Sequence, residues 1–201
     1  MTSRLRRTLG VLALTVGLAS GPALMAAAIT GGTADGEAHP NVAMIVFYDP
    51  DGRFRCSATL VSPTVILTAA HCTKGTLGKT VVTFNSVIAE TPPSPLPVAA
   101  DPTKGYTGHE KVPAGYVFGT ASTHPSYSDF TDLANWNDVG VIVLDKAVAK
   151  KVARITPARI AAANYLDAFG QPVLNSTLFT SVGYGTEVRT LDSGPQKPTP
   201  M

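Results

Sequence analysis

Short apolar runs separated by turn-forming residues characterise the first third of the chain. Residues 41–48 (Asn-Val-Ala-Met-Ile-Val-Phe-Tyr) form one such run, and residues 49–52 (Asp-Pro-Asp-Gly) have the composition of a turn. The strand pattern returns over residues 53–60. Residues 41–61 are therefore predicted to form a β-hairpin.

The stretch that follows predicts a strand, a turn, a strand and a helical turn. Residues 58–61 and 65–67 are apolar and are separated by Ser-Pro at residues 62–63. Residues 68–71 (Thr-Ala-Ala-His) then leave the second strand. We expect them to form a short helical turn, in which the small alanines allow close backbone packing.

The rest of the chain also favours strands over helices. Further strands are expected at residues 79–89, 116–122, 139–144 and 177–184. Residues 91–106 are rich in proline and small residues and predict a surface loop. Residues 150–164 predict a partly helical connector between two halves, and residues 192–201 have no core-forming pattern. With 18 glycines and 16 prolines among 201 residues, the pattern indicates an all-β fold.

Charge and composition bear on which classes of function the sequence supports. The chain is 44% hydrophobic, enough for a core, and its net charge is +2. Three of the 16 basic residues (Arg4, Arg6 and Arg7) lie in the opening segment, which leaves 13 basic against 14 acidic residues. This balance gives no support for nucleic-acid binding. His39, His109 and His124 are too scattered to suggest a metal site, and no zinc-binding spacing occurs, so we expect neither a metal nor a cofactor.

The two cysteines of the chain enclose the predicted strand–turn–strand segment. Cys56 opens it, and Cys72 closes it directly after His71. If the two cysteines pair, a loop of this size contributes about 3 kcal/mol in the chain-entropy model. The bridge would also hold the neighbour of His71 against the adjacent strand.

Residues 56–72, which end in Thr-Ala-Ala-His-Cys, resemble the histidine signature of the trypsin-like (chymotrypsin-family) serine proteases. The resemblance implies a double β-barrel fold and a catalytic role for His71. It also implies a protein or peptide as the substrate. The competing interpretation is a structural or surface histidine beside an ordinary disulfide.

An acidic residue stands directly before the valine-rich run at residues 139–144. The segment Asn-Asp-Val-Gly-Val-Ile-Val-Leu, residues 137–144, is similar to the family's Asp-Ile-Ala-Leu-Leu motif, with Asp138 in the aspartate position. Gly140 replaces the usual alanine. An aspartate there would accept the Nδ1 proton of the histidine and stabilise the imidazolium. Asp129 and Asp132 are rivals, but neither leads into a long apolar run, and Asp138 could also simply begin the strand.

The opening segment has the features of a signal peptide. A basic start is followed by an apolar run over residues 9–19, which is too short to span a bilayer comfortably, and by Ala-Ala-Ala at residues 26–28. We expect cleavage after residue 28, secretion and no stable membrane anchor. The new N-terminus would be Ile29, and Ile-Thr-Gly-Gly resembles the start of activated family members. In these the freed amine pairs with an aspartate beside the nucleophile.

The family's serine motif, Gly-Asp-Ser-Gly-Gly-Pro, does not occur in these 201 residues. Ser193 lies in Leu-Asp-Ser-Gly-Pro, which lacks two of the motif's glycines and follows Gly185 too closely. Residues 181–186 resemble the Gly-Trp-Gly strand that begins the second barrel, with Tyr184 in place of tryptophan. We therefore expect a complete first barrel over residues 29–150, an incomplete second barrel over residues 151–201, and a longer natural protein.

Three interpretations follow. The first is a secreted serine endopeptidase to which this chain contributes His71 and Asp138, without activity of its own because the nucleophile is absent. The second is a secreted, non-catalytic homologue that binds a protein partner. The third is an unrelated exported β-protein with chance matches.

Overall fold

Six antiparallel strands close into a β-barrel that encloses the core. They are β1 (Val42–Asp49), β2 (Gly52–Ser62), β3 (Val65–Thr68), β4 (Leu77–Thr83), β5 (Tyr116–Thr123) and β6 (Gly140–Leu144). Their order around the barrel is β1–β4–β5–β6–β3–β2, and β2 pairs with β1 to close the ring. Closure satisfies the strand edges that an open sheet would expose.

The computed structural model describes residues 32–89, 94–148, 155–185 and 199–200. The predicted signal peptide at residues 1–28 and the predicted N-terminus Ile29 lie outside the described residues, as does Ser193. The short strand β7 (Thr199–Pro200) pairs with β2. In the part of the chain that the structure describes, no helix is long and apolar enough to cross a bilayer.

The predicted hairpin at residues 41–61 is confirmed. β1 and β2 pair from Val42 opposite Thr59 to Asp49 opposite Gly52. The Asp49 carboxylate closes the turn, because its Oδ1 accepts hydrogen bonds from the backbone N–H groups of Asp51 (2.7 Å) and Gly52 (3.0 Å). This is the local side-chain bonding that favours aspartate in turns.

The barrel interior is filled by the inward-facing residues of the strands. Fully buried members of the central cluster are Ala43, Ile45, Phe47, Leu60, Ile66, Val82 and Ile142. Burial of such side chains contributes about 1.5–3 kcal/mol each. The barrel is therefore a packed core and gives its strand ends fixed positions.

The predicted surface loop at residues 91–106 is in part a buried element. Tyr106 is 0% exposed, and Leu96 and Ala99 are buried beside it. The Tyr106 hydroxyl donates to the Pro97 carbonyl oxygen (2.8 Å) and accepts from Arg53 Nε (3.0 Å). Burial raises the pKa of Tyr106. The surface prediction was wrong for these residues because their polar groups find partners inside the protein rather than in water.

Three further predictions differ from the structure. The strand expected at residues 79–89 begins earlier, at Leu77, and ends at Thr83. The strand expected at residues 177–184 is absent: residues 177–185 have no strand partner among the described residues, and most of them are exposed. The connector's described residues 155–164 form no helix, and helix α1 (Gln171–Ser176) comes after them.

Because Tyr106 joins the proline-rich loop to the barrel, we expect Tyr106→Phe to destabilise the fold by about 1 kcal/mol, the usual net value of a lost hydrogen bond. Urea denaturation measures the change. Tyr165→Phe is the matched control, because Tyr165 is 55% exposed. Equal stability of the two variants would show that the buried hydroxyl contributes nothing.

Candidate active site

The turn that carries His71 follows directly from β3. The strand ends at Thr68, and a 3-10 turn spans Ala70–Cys72, as the sequence predicted for residues 68–71. Ala70 is fully buried, so its small side chain allows the turn to pack closely against the barrel. His71 is thereby presented at the end of the strand.

A disulfide holds the far side of this turn. Cys56 in β2 is bonded to Cys72, and their Cα atoms are 6.3 Å apart. The bridge closes a loop of sequence separation 16, for which the chain-entropy model gives about 3 kcal/mol. It ties the residue after the histidine to the central part of a barrel strand.

A structured loop positions Asp138 at the start of β6. The preceding residue, Asn137, has φ +48°. Its Nδ2 donates to the carbonyl oxygens of Ser126 (3.0 Å) and Asn135 (2.9 Å). Asparagine tolerates this left-handed conformation better than most residues, and the two bonds hold the loop in the geometry that presents the carboxylate.

The structure brings His71 and Asp138 into direct contact. Asp138 Oδ2 lies 2.8 Å from His71 Nδ1, and Oδ1 accepts a hydrogen bond from the His71 backbone N–H at 2.9 Å. Both side chains are 19% exposed. Since a carboxylate is an acceptor, Nδ1 carries the proton and Nε2 is left to accept one.

The rival aspartates have other partners. Asp129 pairs with Lys74, at 2.5 Å between Oδ2 and Nζ. Asp132 accepts bonds from the backbone of Ala134 and Asn135 within its own loop. Asp138 is the carboxylate that contacts the histidine.

Gly140 leaves room for the turn that carries the histidine. A Cβ atom at this position would lie 2.5 Å from Thr73 Oγ1 and 2.8 Å from the Ala69 carbonyl oxygen. Thr73 is itself fixed, because its hydroxyl donates to the Ala70 carbonyl oxygen at 3.0 Å and lies 2.9 Å from the Thr123 hydroxyl. The glycine in place of the family's alanine thus fits this close approach.

A sequence profile described as Trypsin matches residues 29–191. This chain belongs to the trypsin family. Its all-β barrel agrees with that assignment, and the resemblance found in the sequence is confirmed.

Three solved structures illustrate the similarity of this trypsin-family chain to known folds. HL collagenase has 19% identity and a TM-score of 0.45, with 66% of this chain and 46% of that chain covered. A protein designated GrC has 23% identity and a TM-score of 0.40, with 64% of this chain and 47% of that chain covered. The thermostable serine protease AL20 from an extremophilic microorganism has 20% identity and a TM-score of 0.40, with 65% of this chain and 54% of that chain covered. The chain spans about half the length of these structures, and no curated protein matches it.

Sequence reasoning missed an aromatic cluster beside the histidine. The Phe130 ring lies 5.8 Å from the His71 ring, and Tyr127 and Trp136 contact Phe130. Burial, with the nearby carboxylates of Asp129 and Asp138, raises the pKa of Tyr127 to about 12. The available indication was three aromatic residues within an otherwise polar loop.

The Gly-Tyr-Gly segment at residues 183–185 lies against the barrel although it forms no strand. The Tyr184 backbone N–H donates to Ser57 Oγ (2.7 Å), and its hydroxyl donates to the Asn85 carbonyl oxygen (3.0 Å). Burial, with the nearby carboxylates of Glu37 and Asp35, raises the pKa of Tyr184 to about 12. This tyrosine joins the second half of the chain to the barrel.

Among the described residues, the grouping that resembles a metal site is Cys56, His71 and Cys72. Both cysteines are consumed by the disulfide, and a disulfide sulfur is not a thiolate ligand. These three residues therefore do not suit a metal ion.

Because Gly140 faces Thr73 and Ala69, we expect Gly140→Ala to destabilise the fold by about 1–3 kcal/mol, the usual cost of overpacking. Chemical denaturation measures this change. The penalty should fall when the substitution is made in a Thr73→Ala background, but not to zero, because the Ala69 carbonyl oxygen remains close.

Gly170→Ala is the control for this substitution, because a Cβ there meets only Pro172 Cδ, at 3.7 Å. It should change the stability little. The close approach at Gly140 would be disproved if Gly140→Ala were tolerated as well as Gly170→Ala.

Proposed function

We propose that this chain supplies the general base and the orienting carboxylate of a secreted serine endopeptidase. The observation that carries the proposal is the two-point contact of one carboxylate, Asp138, with the Nδ1 atom and the backbone N–H of His71. A Ser-His-Asp triad requires a histidine held in this tautomer and orientation.

The proposed reaction cleaves a peptide bond in two steps. Nε2 of His71 takes the proton of a serine hydroxyl as the serine oxygen attacks the carbonyl carbon of the substrate. Asp138 stabilises the imidazolium that results. His71 then gives the proton to the departing amine, which leaves an acyl-enzyme. Water, deprotonated by the same imidazole, hydrolyses the acyl-enzyme and regenerates the serine.

We propose that the nucleophilic serine lies outside these 201 residues. The family's Gly-Asp-Ser-Gly-Gly-Pro motif is absent from the sequence, and Ser193 lacks the glycines that would form an oxyanion hole around it. We therefore propose that the chain alone does not hydrolyse peptides. We propose that the residues that select the substrate side chain lie in the same absent part of the protein as the serine motif.

Secretion is the second part of the proposal. Its support is the basic start, the apolar run and the Ala-Ala-Ala sequence before Ile29, together with a disulfide, which persists in oxidising compartments. The freed amine of Ile29 would pair with an aspartate beside the nucleophile, as in relatives of this family.

The alternative is a secreted homologue that binds a protein without cleaving it. A binding role does not require a carboxylate to fix an imidazole from two sides, so the geometry favours catalysis. Extending the reading frame past residue 201 separates the two: a serine motif supports the protease, and an immediate stop codon supports the binding protein.

Asp138→Asn should reduce kcat/KM of the extended, secreted protein on a peptide substrate by about four orders of magnitude, because the amide stabilises the wrong tautomer of the histidine. The measurement is initial-rate hydrolysis of a fluorogenic peptide library. Asp167→Asn is the control, since Asp167 lies in an exposed 3-10 turn outside the barrel and should leave the rate unchanged.

An organophosphonate probe gives an independent readout. It should label the extended protein and should not label the 201-residue chain. Equal rates for the two aspartate variants, or labelling of the short chain at Ser193, would contradict the assignment.

A further inference from the structure

We propose that Phe130 is a positioning residue for the His71 imidazole, an inference that rests on the catalytic role proposed for His71. The two ring centroids are 5.8 Å apart and the rings are tilted by 40°. Phe130 lies outside every motif that the sequence resemblance identified. It belongs to the polar loop between β5 and β6.

Phe130 is itself held by two other rings. Tyr127 and Trp136 contact it edge-on, with centroid distances of 5.9 and 5.4 Å and interplanar angles of 86° and 85°. Edge-to-face pairs are a favoured aromatic geometry. The phenyl ring therefore has a fixed position from which it restricts the imidazole.

An ion pair ties the same loop to the turn that carries the histidine. Lys74 follows His71 by three residues, and its Nζ lies 2.5 Å from Asp129 Oδ2. The same ammonium lies 5.8 Å from the centre of the Tyr127 ring, within the range of a cation–π contact. The segment that presents the imidazole thus also holds the loop that presents Phe130.

The backbone of this loop adopts an uncommon conformation at the same point. Asp129 and Phe130 have φ values of +51° and +62°. This region is uncommon for residues other than glycine, and a bulky residue there persists only where surrounding contacts hold it. The aromatic contacts and the ion pair provide that hold, and together they direct the Phe130 side chain to His71.

The consequence is a second restraint on the histidine. Asp138 fixes one edge of the imidazole through Nδ1. The tilted phenyl ring lies beside the imidazole and limits its rotation. Orientation of the base within narrow limits is what the proposed reaction requires.

Chemical modification of the oxidised 201-residue chain tests this inference without any turnover. The rate of His71 carbethoxylation by diethylpyrocarbonate is measured by peptide mass spectrometry, with His39 as the internal reference. We expect Phe130→Ala to raise the His71 rate between about twofold and tenfold, the range that the usual coupling of an aromatic pair allows. Proton NMR should also show faster water exchange of the Nδ1 proton.

Two matched variants separate positioning from a general effect on the loop. Leu133→Ala removes an apolar side chain of the same loop that is 71% exposed, and it should leave the His71 rate unchanged. Phe130→Tyr keeps the ring and should restore the wild-type rate. The proposal would be overturned if Leu133→Ala raised the His71 carbethoxylation rate as much as Phe130→Ala does. It would also be overturned if His71 reacted as fast in Phe130→Tyr as in Phe130→Ala.

Lys74→Ala provides a test that leaves all three aromatic rings in place and removes only the ion pair with Asp129 and the contact with the Tyr127 ring. Lys74 and Asp129 are both exposed, so the variant should fold, and its melting curve verifies this. We expect a smaller rise in the His71 rate than Phe130→Ala causes, and the double variant should react no faster than Phe130→Ala alone, because both changes release the same ring. If Phe130→Ala does not fold, an unchanged rate in Lys74→Ala rejects the inference.

These readouts also distinguish the inference from the proposed function. A serine-directed probe tests catalysis in the extended protein, whereas the reactivity of the His71 imidazole is measured in the 201-residue chain. If the probe does not label the extended protein but Phe130→Ala raises the His71 rate, the protease function is rejected and the positioning role of Phe130 is retained. Probe labelling with unaltered His71 reactivity would reject the restraint alone.

Discussion

The pairing of β3 with β6 is the contact on which the rest of the site depends. Its register places Thr68 opposite Gly140. His71 comes shortly after the first of these residues, and Asp138 comes shortly before the second. The two side chains are separated by 67 residues in sequence. The barrel brings them together, because β3 and β6 are neighbours in the ring although β4 and β5 lie between them in sequence.

Much of this arrangement could be predicted because its causes are local. Apolar runs bounded by turn residues marked the strands, and Asp49 marked the hairpin turn. The order of His71, Asp138 and the cysteines was specific enough to indicate the family. The structure adds the register, which depends on the match between distant strands. It also explains why glycine occupies position 140, because the proximity of Thr73 is visible only in the packed structure.

The features that sequence reasoning missed have non-local causes. Tyr106 can be buried because two residues form hydrogen bonds with its hydroxyl: Arg53, which is distant in sequence, and Pro97, which lies in the same loop. Nothing in the proline-rich composition of the loop records those partners. The strand expected at residues 177–184 failed for the opposite reason: a strand pattern forms a strand only when a partner edge exists, and the described residues offer none. Phe130 lies beside His71 in space, and no spacing in the chain indicates that proximity.

The energetics of the histidine–aspartate contact argue for orientation rather than stability as its role. Both side chains are partly exposed, and a pair in contact with water contributes little to folding, about 1 kcal/mol or less. The barrel core and the disulfide each supply more than that. The geometry of the pair is nevertheless held from several sides, by the Cys56–Cys72 bridge, by the second oxygen of Asp138 on the backbone of His71, and by the close packing at Gly140. So many restraints on a contact that stabilises the fold so little are explained if the fold is required to hold the imidazole in one orientation, with Nε2 available to accept a proton.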